Sequence, residues 1–347
     1  MVKLILPNDV KLREDLVSEE DMPPITVIIV NFNMKEELIE CIRSLLSLEY
    51  PQEKLKILVI DNGSTDGSVE TLEKLYKSVI QIIRLKYNVG FARAVKLAIK
   101  ASTTNWVLLL NPDVKLPSYY LRKLMTVLLT YPNMNRCWAI SGTILSGNGK
   151  LILSQGAMFD PITGYDWHLN WKKKIDEIKN SKNPMINKVY YVPLAAAVVK
   201  RDVLQQLDEN LFLYNEDLDL ALHARQKGYY CAVLFQTYVN HKIELRKRAL
   251  CEFRVYNLVK GRLYLLWKNL SYPFLLTSFF FWIIMLPLAL LLIDRKLAWA
   301  SILAIAHFFK EKRMRKSLEK HRVTLPICTL AALRHIVKHI AYGGHSW

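Results

Sequence analysis

The chain has 347 residues, 52% of them hydrophobic and 23% charged, a mixture that excludes wholesale disorder and allows one large domain or a domain with an appendage. Its formal net charge of +17 is uneven, because residues 241–347 hold 19 Lys and Arg against 5 Asp and Glu. Basic sequence beside apolar sequence, with a slightly positive mean hydropathy, points to an anionic membrane surface rather than to nucleic acid. Five cysteines (Cys41, Cys137, Cys231, Cys251, Cys328) form no CxxC pair, which argues against a disulfide scaffold and a thiolate zinc site. The N-terminal apolar run is too short for a signal peptide, so a reducing, cytosolic workplace is expected.

Residues 1–24 read as an N-terminal arm ending in Pro23-Pro24. Ile25 to Asn33, ITVIIVNFN, follows as a strand buried on both faces that opens into a polar loop. Leu38, Cys41, Ile42, Leu45 and Leu46 then recur at helical spacing, and Pro51 ends that helix. Residues 56–60 give a second strand, 69–76 a helix, 82–85 a third strand and about 91–101 another helix. Trp106 to Leu110 is a fourth strand that stops abruptly at Asn111-Pro112-Asp113. This alternation predicts an α/β fold with a mostly parallel central sheet and right-handed crossovers. Leu116 to Leu129 reads as a helix, and 137–200 as mixed strands and irregular loops. Arg201 to Leu207 reads as a short helix, Asn215 to Lys227 as one closed by Gly228, and 229–235 as the last strand.

The α/β domain is expected over 25–245, and a basic, apolar helical region over 246–347. Leu245 to Lys268 reads as a basic helix interrupted at Gly261. From Asn269 to Ile293 there are 25 consecutive residues without a charge, giving a candidate membrane helix at 270–293 that Pro287 would kink. Residues 297–309 are a second membrane-associated candidate, too short to cross comfortably, before the basic run at 310–316.

Chemistry is concentrated in a few polar stretches. Asp61 ends the second strand and opens DNGSTDGS. This is a Gly-rich turn that either caps the next helix or lets a nucleotide approach closely. Neither GxGxxG after the first strand nor GxxxxGK[ST] occurs, so neither a nicotinamide enzyme nor a P-loop ATPase is indicated. Asn111 and Asp113 offer one weak and one hard oxygen ligand, suited to Mg²⁺ or Mn²⁺ held largely by substrate phosphates. His241 is a candidate third ligand or diphosphate contact. Glu216-Asp217 at a helix start either offsets the helix dipole or, facing Asp113 across a cleft, supplies a general base. Asp219 falls on another face, which leaves Asp217 as the base. Trp167, His168 and Trp171 lie in the irregular region, where they stack on sugar or lipid or simply pack.

In order along the chain, these blocks resemble the inverting nucleotide-sugar glycosyltransferases of glycosyltransferase family 2, closest to the rhamnosyltransferase-like enzymes of cell-surface polysaccharide or lipid-linked glycan assembly. The resemblance covers about residues 25–260 and implies a GT-A fold. TVIIVNFN resembles the opening strand, with Asn31 and Asn33 on the donor side. DNGSTDGS is similar to the nucleotide-binding turn, implying Asp61 on the base and Gly63 beside it. YNVGFARA resembles the block in which Asn88, Gly90 and Phe91 shape the donor pocket. LLLNPDV resembles the metal segment, with Asn111 in place of the first acid and Asp113 as principal ligand. YNEDLDLALHARQKGY resembles the acceptor-side block, implying Asp217 as base beside Glu216. VNH resembles the late histidine, His241. VPLAAAVVKRDVL resembles the acceptor loop and implies acceptor-side roles for Ala195 and Ala196, with Trp167 and Trp171 nearby. It departs from the pattern in having Leu194-Ala195 where glycine is usual. Tyr256-Asn257 resembles a C-terminal Arg-Asn pair lacking its arginine.

The resemblance implies a nucleoside-diphosphate sugar donor (UDP- or dTDP-sugar), a glycan or polyprenyl-linked acceptor, and work at the cytoplasmic face of the cell membrane without nucleic acid. Two other classes share parts of the pattern. A non-catalytic nucleotide-sugar-binding protein needs the donor pocket but not Glu216-Asp217, and a nucleotidyltransferase needs more metal-binding acids than Asp113.

Overall fold

The structure, a computed structural model, describes residues 17–179, 186–242 and 251–311. Most of the expected arm, the end of the 161–183 loop, the expected start of the basic helix before residue 251, the basic run beyond residue 311 and Cys328 lie outside the described residues. The chain runs through β1 (Ile25–Asn31), α1 (Lys35–Leu46), β2 (Leu55–Asp61), α2 (Ser68–Tyr76), β3 (Ile80–Arg84), α3 (Phe91–Lys100), β4 (Trp106–Leu110), β5 (Val114–Lys115) and α4 (Tyr120–Thr130). Next come β6 (Cys137–Ser146), β7 (Ile152–Ser154), β8 (Ala157–Asp160), β9 (Tyr165–His168), α5 (Asp176–Lys179), β10 (Ile186–Val189), β11 (Ala196–Lys200), α6 (Arg201–Leu204), α7 (Glu216–Gln226) and β12 (Tyr230–His241). The described chain ends with α8 (Glu252–Asn269), α9 (Phe274–Phe280), a π turn (Phe281–Met285), α10 (Leu286–Leu291) and α11 (Arg295–Lys310).

One large sheet has the order β10-β12-β6-β11-β4-β1-β2-β3, with β5 paired to β12 and β7 to β6, while β8 and β9 form a separate hairpin. Neighbours within β3-β2-β1-β4 are parallel, as expected of strands joined by helical crossovers. β11 enters antiparallel between β4 and β6 and makes the other half mixed. The inner strands alternate between two apolar cores. Ile28, Leu58 and Ile60 face one, and Val27, Ile29, Ile57 and Val59 face the other. The second core is closed by α1, α2 and α4. The first is closed by α3, α6 and α7 and continues into the C-terminal helices through Leu266, Trp282, Leu297 and Phe308. Burial on both faces explains the near-continuous apolar runs of β1, β2 and β4.

Three departures from the sequence reading have physical causes. The expected last strand at 229–235 runs on to His241. Leu234 pairs with Gly142 and Tyr238 with Thr143, so the intervening residues of β12 loop out. Gly142 leaves room for that bulge, because a Cβ there would sit 2.3 Å from the Thr237 carbonyl oxygen. α8 passes through Gly261 unbroken, since the glycine serves a close approach in which a Cβ would lie 2.9 Å from Asn215 Nδ2. Ahead of Pro287 the apolar helix widens into the π turn. Proline lacks the N–H for the next α-helical bond and its ring presses on the preceding turn, so the wider turn absorbs the expected kink.

Candidate active site

The C-terminal ends of the parallel strands form the rim where open α/β sheets hold ligands. Asn31 ends β1 opposite Asp61 at the end of β2. Asn31 Nδ2 donates to Asp61 Oδ1 at 3.3 Å, to Ser64 Oγ at 3.1 Å and to Ser68 Oγ at 3.0 Å. Asp61 Oδ2 accepts from the Ser64 amide at 3.1 Å, so the carboxylate is pinned within the turn it opens. Asn33, at φ 54°, accepts from the Thr65 amide at 2.8 Å. Gly63 has φ +83°, and a Cβ there would fall 2.7 Å from Tyr87 Cα, so only glycine lets these two loops touch. Across that contact Asn88 Oδ1 accepts from Asn62 Nδ2 at 3.0 Å and from the Gly90 amide at 2.9 Å. Gly90 abuts the Phe212 carbonyl, which accepts from the Phe91 amide at 2.8 Å.

Asp113 and His241 converge at the same rim because β5 pairs with the end of β12. His241 Nε2 lies 2.9 Å from Asp113 Oδ1, and both side chains are largely buried. The Lys242 amide donates to the Asp113 carbonyl at 2.8 Å and fixes the pair from behind. Among the described residues no group of three or more His, Cys, Asp or Glu side chains could hold a metal ion. One hard carboxylate and one imidazole fit Mg²⁺ or Mn²⁺ when phosphate oxygens and water complete the shell. Behind them Cys41 Sγ donates to the Asn111 carbonyl at 3.6 Å. Burial, then the charge of Asp113, push that thiol far above its ordinary pKa, so it is inert.

A cavity of about 270 Å³ brings Phe91, Asn111 and His241 together with Ala195, Glu216, Asp217, Trp167 and Trp171. Asn31, Asn33, Asp61, Gly63, Asn88 and Gly90 shape the adjoining loops rather than its wall. Asp113 reaches the cavity through His241. Ala196 is buried in β11 and does not line it, whereas the Ala195 carbonyl accepts from the Asn111 amide at 2.8 Å and ties the two halves together. Trp167 is 8% exposed, and Lys172 Nζ stands 4.4 Å over the Trp171 ring.

Glu216 and Asp217 open α7 after Tyr214 and Asn215, two successive non-glycine residues at φ 70° and 72°. Such backbone persists only when its surroundings hold it. Here Asn215 Nδ2 donates to the Leu258 carbonyl at 3.2 Å, and Arg262 Nε donates to Asn215 Oδ1 at 2.6 Å, both from α8. Asp217 is half-buried, and its Oδ2 accepts from the Leu194 amide at 3.4 Å. Burial, with the charge of Asp166 adding to it, pushes the Asp217 carboxyl up to about 7. Glu216 is 5% exposed, its Oε1 has no hydrogen-bond partner among the described residues, and burial and then Asp217 push it up to about 8. Asp219 is taken up by Lys268 at 3.0 Å, away from the chemistry.

Four cavity residues were missed from sequence: Asp166, Tyr191, Arg254 and Arg262. Tyr191 donates to one oxygen of Asp166, and Arg262 pairs with the other at 2.5 Å. Burial, the largest single influence, would raise the Asp166 carboxyl, but the Arg262 charge and the Tyr191 hydrogen bond together outweigh it and hold the group below its ordinary value. Arg254 is 7% exposed and lies 5.4 Å from the Tyr214 ring centroid. The available signal was arginine at 254 and 262 flanking Leu258 at intervals of four, which puts two cations on an apolar face of α8.

The model of the family described as "Glycosyl transferase family 2" matches residues 26–207. The chain belongs to glycosyl transferase family 2. It is 30% identical over 111 residues to an uncharacterized glycosyltransferase of Haemophilus influenzae, covering 31% of this chain and 34% of that one. It is 25% identical over 212 residues to the N-acetylglucosaminyl-diphospho-decaprenol L-rhamnosyltransferase of Mycobacterium tuberculosis, covering 54% and 66% respectively. The chain thus spans between one third and about two thirds of the length of these curated relatives. Among solved structures it resembles GalNAc-T7 with UDP, GalNAc and Mn²⁺ at a TM-score of 0.58 and 13% identity, over 85% of this chain and 57% of that one. It also resembles the mannosyltransferase PcManGT of Pyrobaculum calidifontis in complex with GDP-Man and Mn²⁺, at 0.53 and 16%, over 98% and 84%. At these identities the likeness concerns the fold, and the family 2 chain has the GT-A architecture expected of it.

Proposed function

We propose that this family 2 protein transfers a sugar from a UDP- or dTDP-sugar to a hydroxyl of a glycan or polyprenyl-linked acceptor, by one inverting displacement with Asp217 as general base. One observation carries the reading: Asp217, its carboxyl pushed up to about 7, shares a single cavity with Asn111 and with His241, the partner of Asp113. A base whose pKa lies near the working pH is matched to taking a proton from a hydroxyl. Asp61 and the Gly63, Asn88 and Gly90 loops hold the nucleoside, and Asn111, Asp113 and His241 hold the diphosphate end. When bound there, Mg²⁺ or Mn²⁺ supplies positive charge against the charge that develops on the departing nucleoside diphosphate. The acceptor enters beside Trp167, Trp171 and Ala195. Its hydroxyl gives its proton to Asp217 as the oxygen attacks the anomeric carbon opposite the leaving group, so one bond forms, one breaks and the configuration inverts. Glu216, pushed to about 8, is mainly neutral at pH 7 and keeps a second negative charge out of the site.

The names of the relatives support the substrate classes. One transfers rhamnose to a sugar on decaprenyl diphosphate, and the solved neighbours hold UDP or GDP-mannose with Mn²⁺. Phe274–Leu291 is long and apolar enough to cross a membrane, and with the basic C-terminal third it supports work at the cytoplasmic membrane face. Asp217→Asn is the test. Transfer should fall by about 10³-fold, while Mn²⁺-dependent donor affinity, read by calorimetry, stays within about twofold of the parent. Full transfer activity in that variant would overturn the assignment.

A further inference from the structure

We propose that the apolar helix of residues 274–291 does not cross the membrane but lies along one leaflet of an anionic bilayer, its other side docked on the catalytic domain. The inference rests on the membrane contact proposed above and specifies its geometry. At 1.5 Å per residue the helix is about 27 Å long, close to the roughly 30 Å of a hydrocarbon core. Length alone therefore permits crossing, and the packing decides.

Leu275, Ser278, Trp282, Pro287 and Leu290 are buried, so contact with the protein runs from one end of the helix to the other. At its centre Trp282 is fully buried and its Nε1 donates to the Thr163 carbonyl at 3.0 Å. Next to it Gly164, at φ +67°, lies so close that a Cβ would meet Leu266 Cδ1 at 2.8 Å and Ser278 Cβ at 3.0 Å. Thr163 and Gly164 form the turn of the β8–β9 hairpin, whose strand β9 lines the acceptor cavity with Asp166 and Trp167. A spanning helix would carry its midpoint, and this polar hairpin with it, into the hydrocarbon centre, where unpaired polar groups are costly.

The opposite side is built differently. Leu276, Phe280, Ile284, Leu288 and Leu291 form a stripe at helical spacing and are 45–61% exposed. α11 packs beside α10 and adds Trp299, Ile302 and Phe309 on its own outer side. Leu292, in the turn between the two helices, is 89% exposed; exposed Asp294 caps α11, and Arg295 and Lys296 open its first turn. Two adjacent apolar stripes with cations at their tip match the acyl layer and the anionic headgroups of one leaflet.

The test uses the full chain in sealed inside-out membrane vesicles, with Cys328→Ser throughout. Native Cys251, exposed at the start of α8, marks the catalytic side. In a Cys251→Ser background, Lys296→Cys marks the tip. A membrane-impermeant maleimide added outside should label both positions to the same extent, with no increase after detergent. Protection of the Lys296→Cys position until detergent is added would put the tip on the far side and overturn the in-plane geometry. Leu276→Glu with Leu288→Glu, both on the exposed stripe, should reduce the fraction bound to phosphatidylglycerol-containing vesicles by at least about tenfold, because each replaces an apolar contact with the acyl layer by a charge. Undiminished vesicle binding, or a soluble parent dimer that this pair of substitutions dissociates, would overturn the lipid as partner. Sugar transfer by the parent is read separately, so failure of the membrane geometry and failure of the catalytic assignment give different results.

Discussion

Burial raises Asp217 most, and the groups facing it are Asp166 from β9, Glu216 from its own helix, Tyr191 just past β10, and Arg262 from α8 on the far side of Asp166. As the proposed base it must be ionised, so kcat/KM should fall as pH drops through its raised value of about 7. Asp166 contributes to that elevation. Asp166→Asn removes a negative charge and releases the positive field of Arg262, and both changes favour the ionised form of Asp217. The acidic limb of the pH profile should therefore move to lower pH, with the alkaline side unchanged. A limb that stays in place, or moves upward, would show that Asp217 is not the group being read.

At the scale of elements, legibility followed burial and motif. β1, β2 and β4 were readable because both faces are buried, and so was the placement of Asp61 at the end of β2, Asp113 just beyond β4 and Asp217 in the first turn of α7, because each follows an apolar run or opens a helical one. The second half of β12 was not readable, since 236–241 is largely polar and its pairing depends on a bulge accommodated by Gly142 in a different strand. The β8–β9 hairpin and its Asp166–Arg262 pair were hidden for a related reason. What fixes them is the docking of α8 and the apolar helix, a contact between distant parts of the chain that no local pattern announces. That docking yields a prediction: Trp282→Phe keeps the ring but leaves the Thr163 carbonyl without its donor, which costs about 1–3 kcal/mol. The acceptor KM should rise while kcat and the donor KM change little. A uniform loss of kcat with both KM values unchanged would indicate that the hairpin does not position the acceptor.

For the whole molecule, the C-terminal helices are part of the main core. Leu263, Leu266, Trp282, Leu297 and Phe308 belong to the same buried cluster as Ile28 and Leu58 of the central strands. Removing residues 270–347 would expose the face of α8 that carries Leu263 and Leu266. The shortened chain should melt well below the parent, or accumulate as aggregate, when the two are compared by thermal denaturation in the same detergent. An unchanged melting temperature would show that the helices are a dispensable attachment.

The looped-out residues of β12 have one more effect. They work as a vernier between two rulers: the sheet fixes where β12 enters, at Leu234 opposite Gly142, and the loop length decides which residue arrives opposite Val114 at its end. In this chain it is His241. Deleting Gln236 alone should advance the strand by one residue, present Lys242 to Asp113, and abolish Mn²⁺-dependent donor binding while the far-UV circular dichroism stays native. Mn²⁺ dependence surviving that deletion would show that the loop absorbs the change. On the proposed reading, the side chain offered beside Asp113 is thus set by counting in a segment that does not line the cavity.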